Sequence, residues 1–181
     1  MNLKLVAIPI AALGLMAATG GGRGPSPGDG SAGAAPDRLA WPLVTWVQTQ
    51  PYGCTTFALE PAAPWCPSGH FHSGIDMAAP AGTVVRAAAG GRVRVAWSPA
   101  GYGLYVVVDH GGGIATLYGH LESTAVLSGD AVAPGAELGR VGSTGLSTGP
   151  HLHFEVRRGG RPADPAPWLP ARGRGAPEEE P

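Results

Sequence analysis

Lysine is almost missing from this chain: Lys4 is the only one, beside eleven arginines and thirteen acidic residues. The formal charge of −1 removes the electrostatic reason to expect nucleic acid or an anionic surface as a partner. No stretch reads as an amphipathic helix longer than a couple of turns. Thirty glycines and nineteen prolines instead divide the chain into short segments, which points to an all-β domain. Several catalytic plans are absent too. There is no His-Glu-x-x-His helix, so the helical metalloprotease arrangement does not apply. Ser73 and Ser147 lack the strand-turn-helix context of a nucleophile elbow. The Gly/Ser/Thr loop at 142–149 has neither the lysine nor the following helix that a phosphate loop needs.

What is present divides into four parts. Residues 1–20 read as an export signal, with Lys4 before an apolar run at 5–18 and small residues Ala17, Ala18 and Gly20 suited to cleavage. That run is too short to span a bilayer comfortably, so the expectation is cleavage and release without stable membrane insertion. No cysteine follows it, which argues against a lipid anchor there. Residues 21–38 read as a flexible linker, 39–170 as one domain and 171–181 as a disordered tail. Export places Cys54 and Cys66 in an oxidising compartment, where they most simply form one disulfide. A rival reading makes them a second metal site with His70, although the spacing matches no compact zinc pattern.

Strands are expected at 43–47, 71–77, 83–88, 91–97, 104–109, 114–118, 137–141 and from His151 onward. A short turn or helix is expected around 121–128. The apolar run at 104–108, the His110-Gly111-Gly112-Gly113 turn and the return at 114–118 form the best hairpin. His110 there reads as structural.

The chemistry collects on a few side chains. In an extended strand, residues two apart share a face. His151, His153 and Glu155 would then point one way while Leu152, Phe154 and Val156 pack the other way. Glu155 on that face suits either a supporting role behind a histidine or solvent exposure. At 71–77 the same rule puts His72, Gly74 and Asp76 on one face, with Gly74 leaving room over the backbone. Five polar groups then need a role: His72, Asp76, His120, His151 and His153. A catalytic zinc takes three His or Asp/Glu ligands and keeps one position open. Two further histidines could serve as a base and as a proton carrier or transition-state stabiliser. Spacing alone does not say which histidine does which.

Three blocks carry a resemblance: Phe71-His72-Ser73-Gly74-Ile75-Asp76, Tyr118-Gly119-His120-Leu121, and residues 143–156 ending in Gly149-Pro150-His151-Leu152-His153-Phe154-Glu155-Val156. In type and order they resemble the motifs of the lysostaphin-type (LytM-type) zinc metallopeptidases of bacterial cell walls. The resemblance covers about residues 41–169. It implies an antiparallel all-β domain of the duplicated-hybrid-motif type, with the site in a groove. It implies Zn2+ held by His72, Asp76 and His153. His151 would be the general base on the attacking water, and His120 would help hold that water and stabilise the oxyanion. The implied activity is hydrolysis of peptide bonds in peptidoglycan by a secreted enzyme; a monomer is expected, although the sequence does not set the oligomeric state. The alternative is an inactive wall-binding or activator module on the same fold. Some members place a tyrosine shortly before the first ligand, but no tyrosine lies between Tyr52 and His72, so that role does not transfer. His70 is either substrate-side or merely exposed.

Overall fold

Short runs of alternating apolar and polar residues, bounded by glycine and proline, pair into sheet because each can bury only one face. The computed structural model describes residues 35–171. The expected export segment, most of the linker and nearly all of the tail lie outside the described residues. In chain order the first strands are β1 (Val47–Gln50), β2 (Gly53–Thr55), β3 (His70–His72), β4 (Ile75–Ala78), β5 (Val84–Arg86) and β6 (Gly91–Ser98). They are followed by β7 (Gly103–Gly111), β8 (Ile114–Thr124), β9 (Ala131–Val132), β10 (Glu137–Val141), β11 (His151–Arg158) and β12 (Arg161–Ala163). A single 3-10 turn at Ala166–Trp168 is the only helical element among the described residues.

Ten strands form one sheet in the order β1-β4-β11-β8-β7-β6-β9, with β10 joining β8 to β5 and β12 beside β11. The pairings are antiparallel throughout. β2 and β3 form a separate two-stranded ribbon. The expected hairpin is β7–β8, and Gly111, Gly112 and Gly113 all take positive φ at its turn, where a side chain would be strained. β11 lies between β4 and β8, in the middle of the sheet. Its Leu152, Phe154 and Val156 are fully buried in one core with Val85, Val106, Tyr118, Leu121 and Leu138.

Three expectations need correction. The strand expected at 43–47 begins only at Val47. The backbone just before the segment is tied singly to the chain at 86–88, through Ala40 N–H to Ala88 O and Arg86 N–H to Pro42 O, and no ladder forms until Val47 meets Ala78. Leu43 and Trp46 still enter the core. The turn expected around 121–128 starts only at 125, because β8 runs on to Thr124 and pairs with β10.

The third correction bears on the site. Residues 71–77 are not one strand: the chain leaves the ribbon after His72 and joins the main sheet at Ile75. Gly74 lies in that crossing. A β-carbon there would sit 2.4 Å from the Phe154 carbonyl oxygen, so the room that glycine leaves is filled by β11.

Candidate metal centre and groove

β4 and β11 pair with His153 opposite Asp76, and the ribbon brings His72 over both. His72 Nε2, Asp76 Oδ1 and His153 Nδ1 form a triangle with sides of 2.9 to 3.1 Å. All three residues are buried. The remaining ring nitrogens fix the tautomers. His72 Nδ1 lies 2.8 Å from the Pro51 carbonyl oxygen, which can only accept, so that nitrogen carries the proton. His153 Nε2 faces Glu155 Oε1 at 3.2 Å and donates in the same way. Two imidazole lone pairs and a carboxylate oxygen therefore converge on one point. Three acceptors that close repel unless a cation or a proton lies between them. A donor set of two histidines and one carboxylate suits a zinc ion.

The charges around the triangle point the same way. Burial alone would raise the Asp76 carboxyl, but with a proton rather than a cation in the triangle, His153 and His72 pull it well below the usual range. Burial works against a charged His153, yet Asp76 and Glu155 on either side bring its pKa up to about 9. The centre thus favours positive charge.

Glu155 is fully buried, which decides between the two roles left open for it. Its Oε1 accepts hydrogen bonds from Ser73 Oγ at 2.6 Å, Tyr102 Oη at 2.5 Å and His153 Nε2. Its Oε2 accepts from Arg157 Nε at 2.6 Å. Burial again opposes the charge, and His153, Ser73 and Tyr102 overcome it, taking the carboxyl down to about 2. Burial and this carboxylate together raise the Tyr102 hydroxyl to about 12. Tyr102 and Arg157 carry no local signal in the sequence. Tyr102 follows a surface turn and meets Glu155 from 53 residues away.

The two remaining histidines flank the triangle. His151 Nδ1 donates to the Gly149 carbonyl at 2.8 Å, and its Nε2 lies 3.7 Å from Asp76 Oδ2. His120 Nδ1 donates to the Thr144 carbonyl at 2.7 Å. The two rings lie 4.6 Å apart, and each has its Nε2 unprotonated when neutral. His120 is the one non-glycine residue with positive φ among the described residues, at 61°. The register of β8 against β7 shifts there, with Tyr118 opposite Val106 and Leu121 opposite Leu104. This bulge turns the imidazole out of the ladder and toward the site. Burial, then the neighbouring His151 and His153, lower its pKa to about 4, against the pull of Thr144 and Asp76, so it is neutral near pH 7.

All five residues singled out in the sequence thus come together, four of them on a groove of about 930 Å³ and His72 fully buried against Asp76 and His153. Asp76, His120, His151 and His153 face its floor, with the 146–150 loop on one side and residues 55–61 on the other. Cys54 and Cys66 are bridged, and the bridge closes the second wall. His70 does not line the groove: its Nδ1 donates to the Glu60 carbonyl at 2.7 Å and ties that loop to β3. The rival cysteine–histidine metal site is excluded by the bridge. His110 is buried in the hairpin, between the Gly90 carbonyl and Thr116 Oγ1.

The sequence model of peptidase family M23 matches residues 70–165. Over 94 residues the chain is 49% identical to the DD-carboxypeptidase/endopeptidase Mpg of Neisseria meningitidis, covering 52% of this chain and 22% of that protein. It is 46% identical over 96 residues to the murein hydrolase activator EnvC of Escherichia coli, covering 53% of this chain and 23% of that one. The chain therefore spans less than a quarter of the length of these two relatives. Among solved structures, the catalytic domain of the antimicrobial peptidase lysostaphin from Staphylococcus simulans superposes with a TM-score of 0.57. That match is 31% identical and covers 67% of this chain and 90% of that domain. The chain belongs to peptidase family M23.

Proposed function

We propose that this chain is an exported zinc metalloendopeptidase that hydrolyses peptide bonds in the stem peptides or cross-bridges of peptidoglycan. The observation that carries the reading is the convergence of His72 Nε2, Asp76 Oδ1 and His153 Nδ1, with two further imidazoles beside them. His72, Asp76 and His153 would hold the ion, and Glu155 would keep His153 in the tautomer that leaves Nδ1 free. Zinc bound there supplies Lewis acidity and a water acidified toward neutral pH.

The chain's own groups supply the proton handling. His151, held by Gly149 O, presents Nε2 to take a proton from the attacking water and later deliver it to the departing amine. Neutral His120 accepts a hydrogen bond from that water. By taking the second proton of that water it would become a donor to the oxyanion, and it would give the proton up as the amine leaves as an ammonium. Export is supported by the character of residues 1–20 and by the disulfide. The substrate class is supported by the names of the relatives, and no feature of the chain suggests nucleic acid as a partner.

The likeness to EnvC favours a second reading, an activator module without hydrolysis of its own. One experiment separates the two. Purified protein is analysed for metal and incubated with wall sacculi, with and without a chelator. Stoichiometric zinc and chelator-sensitive release of peptides support the enzyme. Absence of zinc, or release that ignores the chelator, refutes it.

A further inference from the structure

The wall of the groove formed by the 54–66 loop carries a charged group that the hydrolytic chemistry does not use. Glu60 lines the groove beside Phe57, Leu59 and Pro61. Its position is built into the loop rather than left to a flexible tip. The Glu60 amide donates to Phe57 O at 3.0 Å, and its carbonyl accepts from His70 Nδ1 at 2.7 Å. Phe71 N–H donates to Pro61 O at 3.1 Å, and the Cys54–Cys66 bridge closes the loop. The side chain is held as well: Gln50 Nε2 donates to Glu60 Oε1 at 3.3 Å. Gln50 sits opposite Asp76 in the β1–β4 pairing, so this carboxylate is fixed one strand from the metal centre.

The surroundings leave its charge without a matched counter-ion. Among the described residues no lysine or arginine lines the groove, and Glu60 takes part in none of the ion pairs found there. Burial raises the carboxyl above its ordinary range, and the imidazoles of His72 and His153 offset that only in part. A carboxylate fixed among apolar side chains at the edge of a substrate groove is a ready receptor for an ammonium group. There it gains a charge-assisted hydrogen bond while the apolar walls hold the aliphatic stem.

We infer that Glu60, positioned by Gln50 and the disulfide-closed loop, is a specificity residue that binds a free amine of the substrate close to the scissile bond. The substrate class is then a wall peptide containing a diamino acid whose side-chain amine is free. This inference rests on the peptidase reading above. Its test uses the full chain, loaded with zinc, and two synthetic cross-linked peptides. They differ only in whether the lysine ammonium of the stem next to the cut D-Ala bond is free or acetylated. Cleavage by the parent protein is expected to be about tenfold more efficient in kcat/KM on the free amine. Glu60→Gln keeps the loop contacts of the backbone and is expected to erase that preference by lowering the rate on the free amine alone. A preference that survives in Glu60→Gln, or equal rates in the parent protein, overturns the assignment while leaving the peptidase reading intact. No cleavage of either peptide overturns the peptidase reading and the subsite with it.

Discussion

Replacing Glu155 by glutamine tests whether the buried cage behind the metal centre acts on the metal. The substitution preserves volume and removes one charge. Its remaining carbonyl oxygen can keep the acceptor position for Ser73, Tyr102 and His153. Its NH2 group then faces Arg157 Nε–H, donor against donor, where Oε2 now accepts at 2.6 Å. The opposite flip satisfies Arg157 but sets the NH2 group against His153 Nε2–H and forces the Ser73 and Tyr102 hydroxyls to turn and accept. Neither rotamer holds the cage, so His153 loses part of the restraint on its tautomer and ring orientation. Removing such a partner behind a metal ligand costs about 10- to 100-fold in metal affinity, equivalent to about 1.4–2.7 kcal/mol. The assay is competition for zinc against a chromophoric chelator at fixed pH. Circular dichroism and a urea midpoint on the same samples establish that the variant is folded. A folded Glu155→Gln protein with unchanged zinc affinity would refute the argument that this carboxylate acts through His153.

Other outcomes follow from single residues. His151→Ala is expected to retain zinc and lose hydrolysis of sacculi by at least about a hundredfold, whereas His153→Ala loses both; near-normal turnover in His151→Ala removes it from the role of base. Gly74→Ala would force a β-carbon to within 2.4 Å of the Phe154 carbonyl and part β4 from β11. A loss of about 1–3 kcal/mol is expected, read from urea unfolding, and a neutral result would show that the crossing relaxes freely. His110 supplies a pH dependence distant from the centre. Burial lowers its pKa in the folded chain, although Gly90 and Asp109 pull the other way. Its contribution to stability is therefore complete above the unfolded value of about 6.5 and is lost as pH falls through the lower folded value. The zinc-free urea midpoint of the parent should drop more steeply between pH 8 and 5 than that of His110→Gln, and parallel slopes would exclude the effect.

Much of the site was legible because its residues lie on short motifs with a strand period. His151, His153 and Glu155 do share one face of β11, and Leu152, Phe154 and Val156 do fill the core behind it. The same period failed at 71–77, where a break at Ser73-Gly74 moves His72 into another sheet. The pattern there has the period of one strand, yet it takes two for His72 Nε2 to reach Asp76 Oδ1. Glu155 could be placed on the right face but not assigned a burial. Its partners Ser73 and Tyr102 come from 82 and 53 residues away, and no local pattern encodes such a meeting. The 43–47 segment has the composition of a strand, but only Val47 enters a ladder, opposite Ala78, while Leu43 and Trp46 are drawn into the core.

By itself, then, the sequence pointed to the all-β class, to five polar side chains that the fold brings together and to one disulfide as the simplest state of its only two cysteines. Each of these follows from residue type, local period or count. Only the tertiary structure decided what each group can do. The bulge at His120, the carbonyls of Pro51 and Gly149 and the carboxylate of Glu155 set which ring nitrogen bears a proton. Those partners are distant in sequence or depend on backbone geometry, and a tautomer is fixed by the atom that faces it.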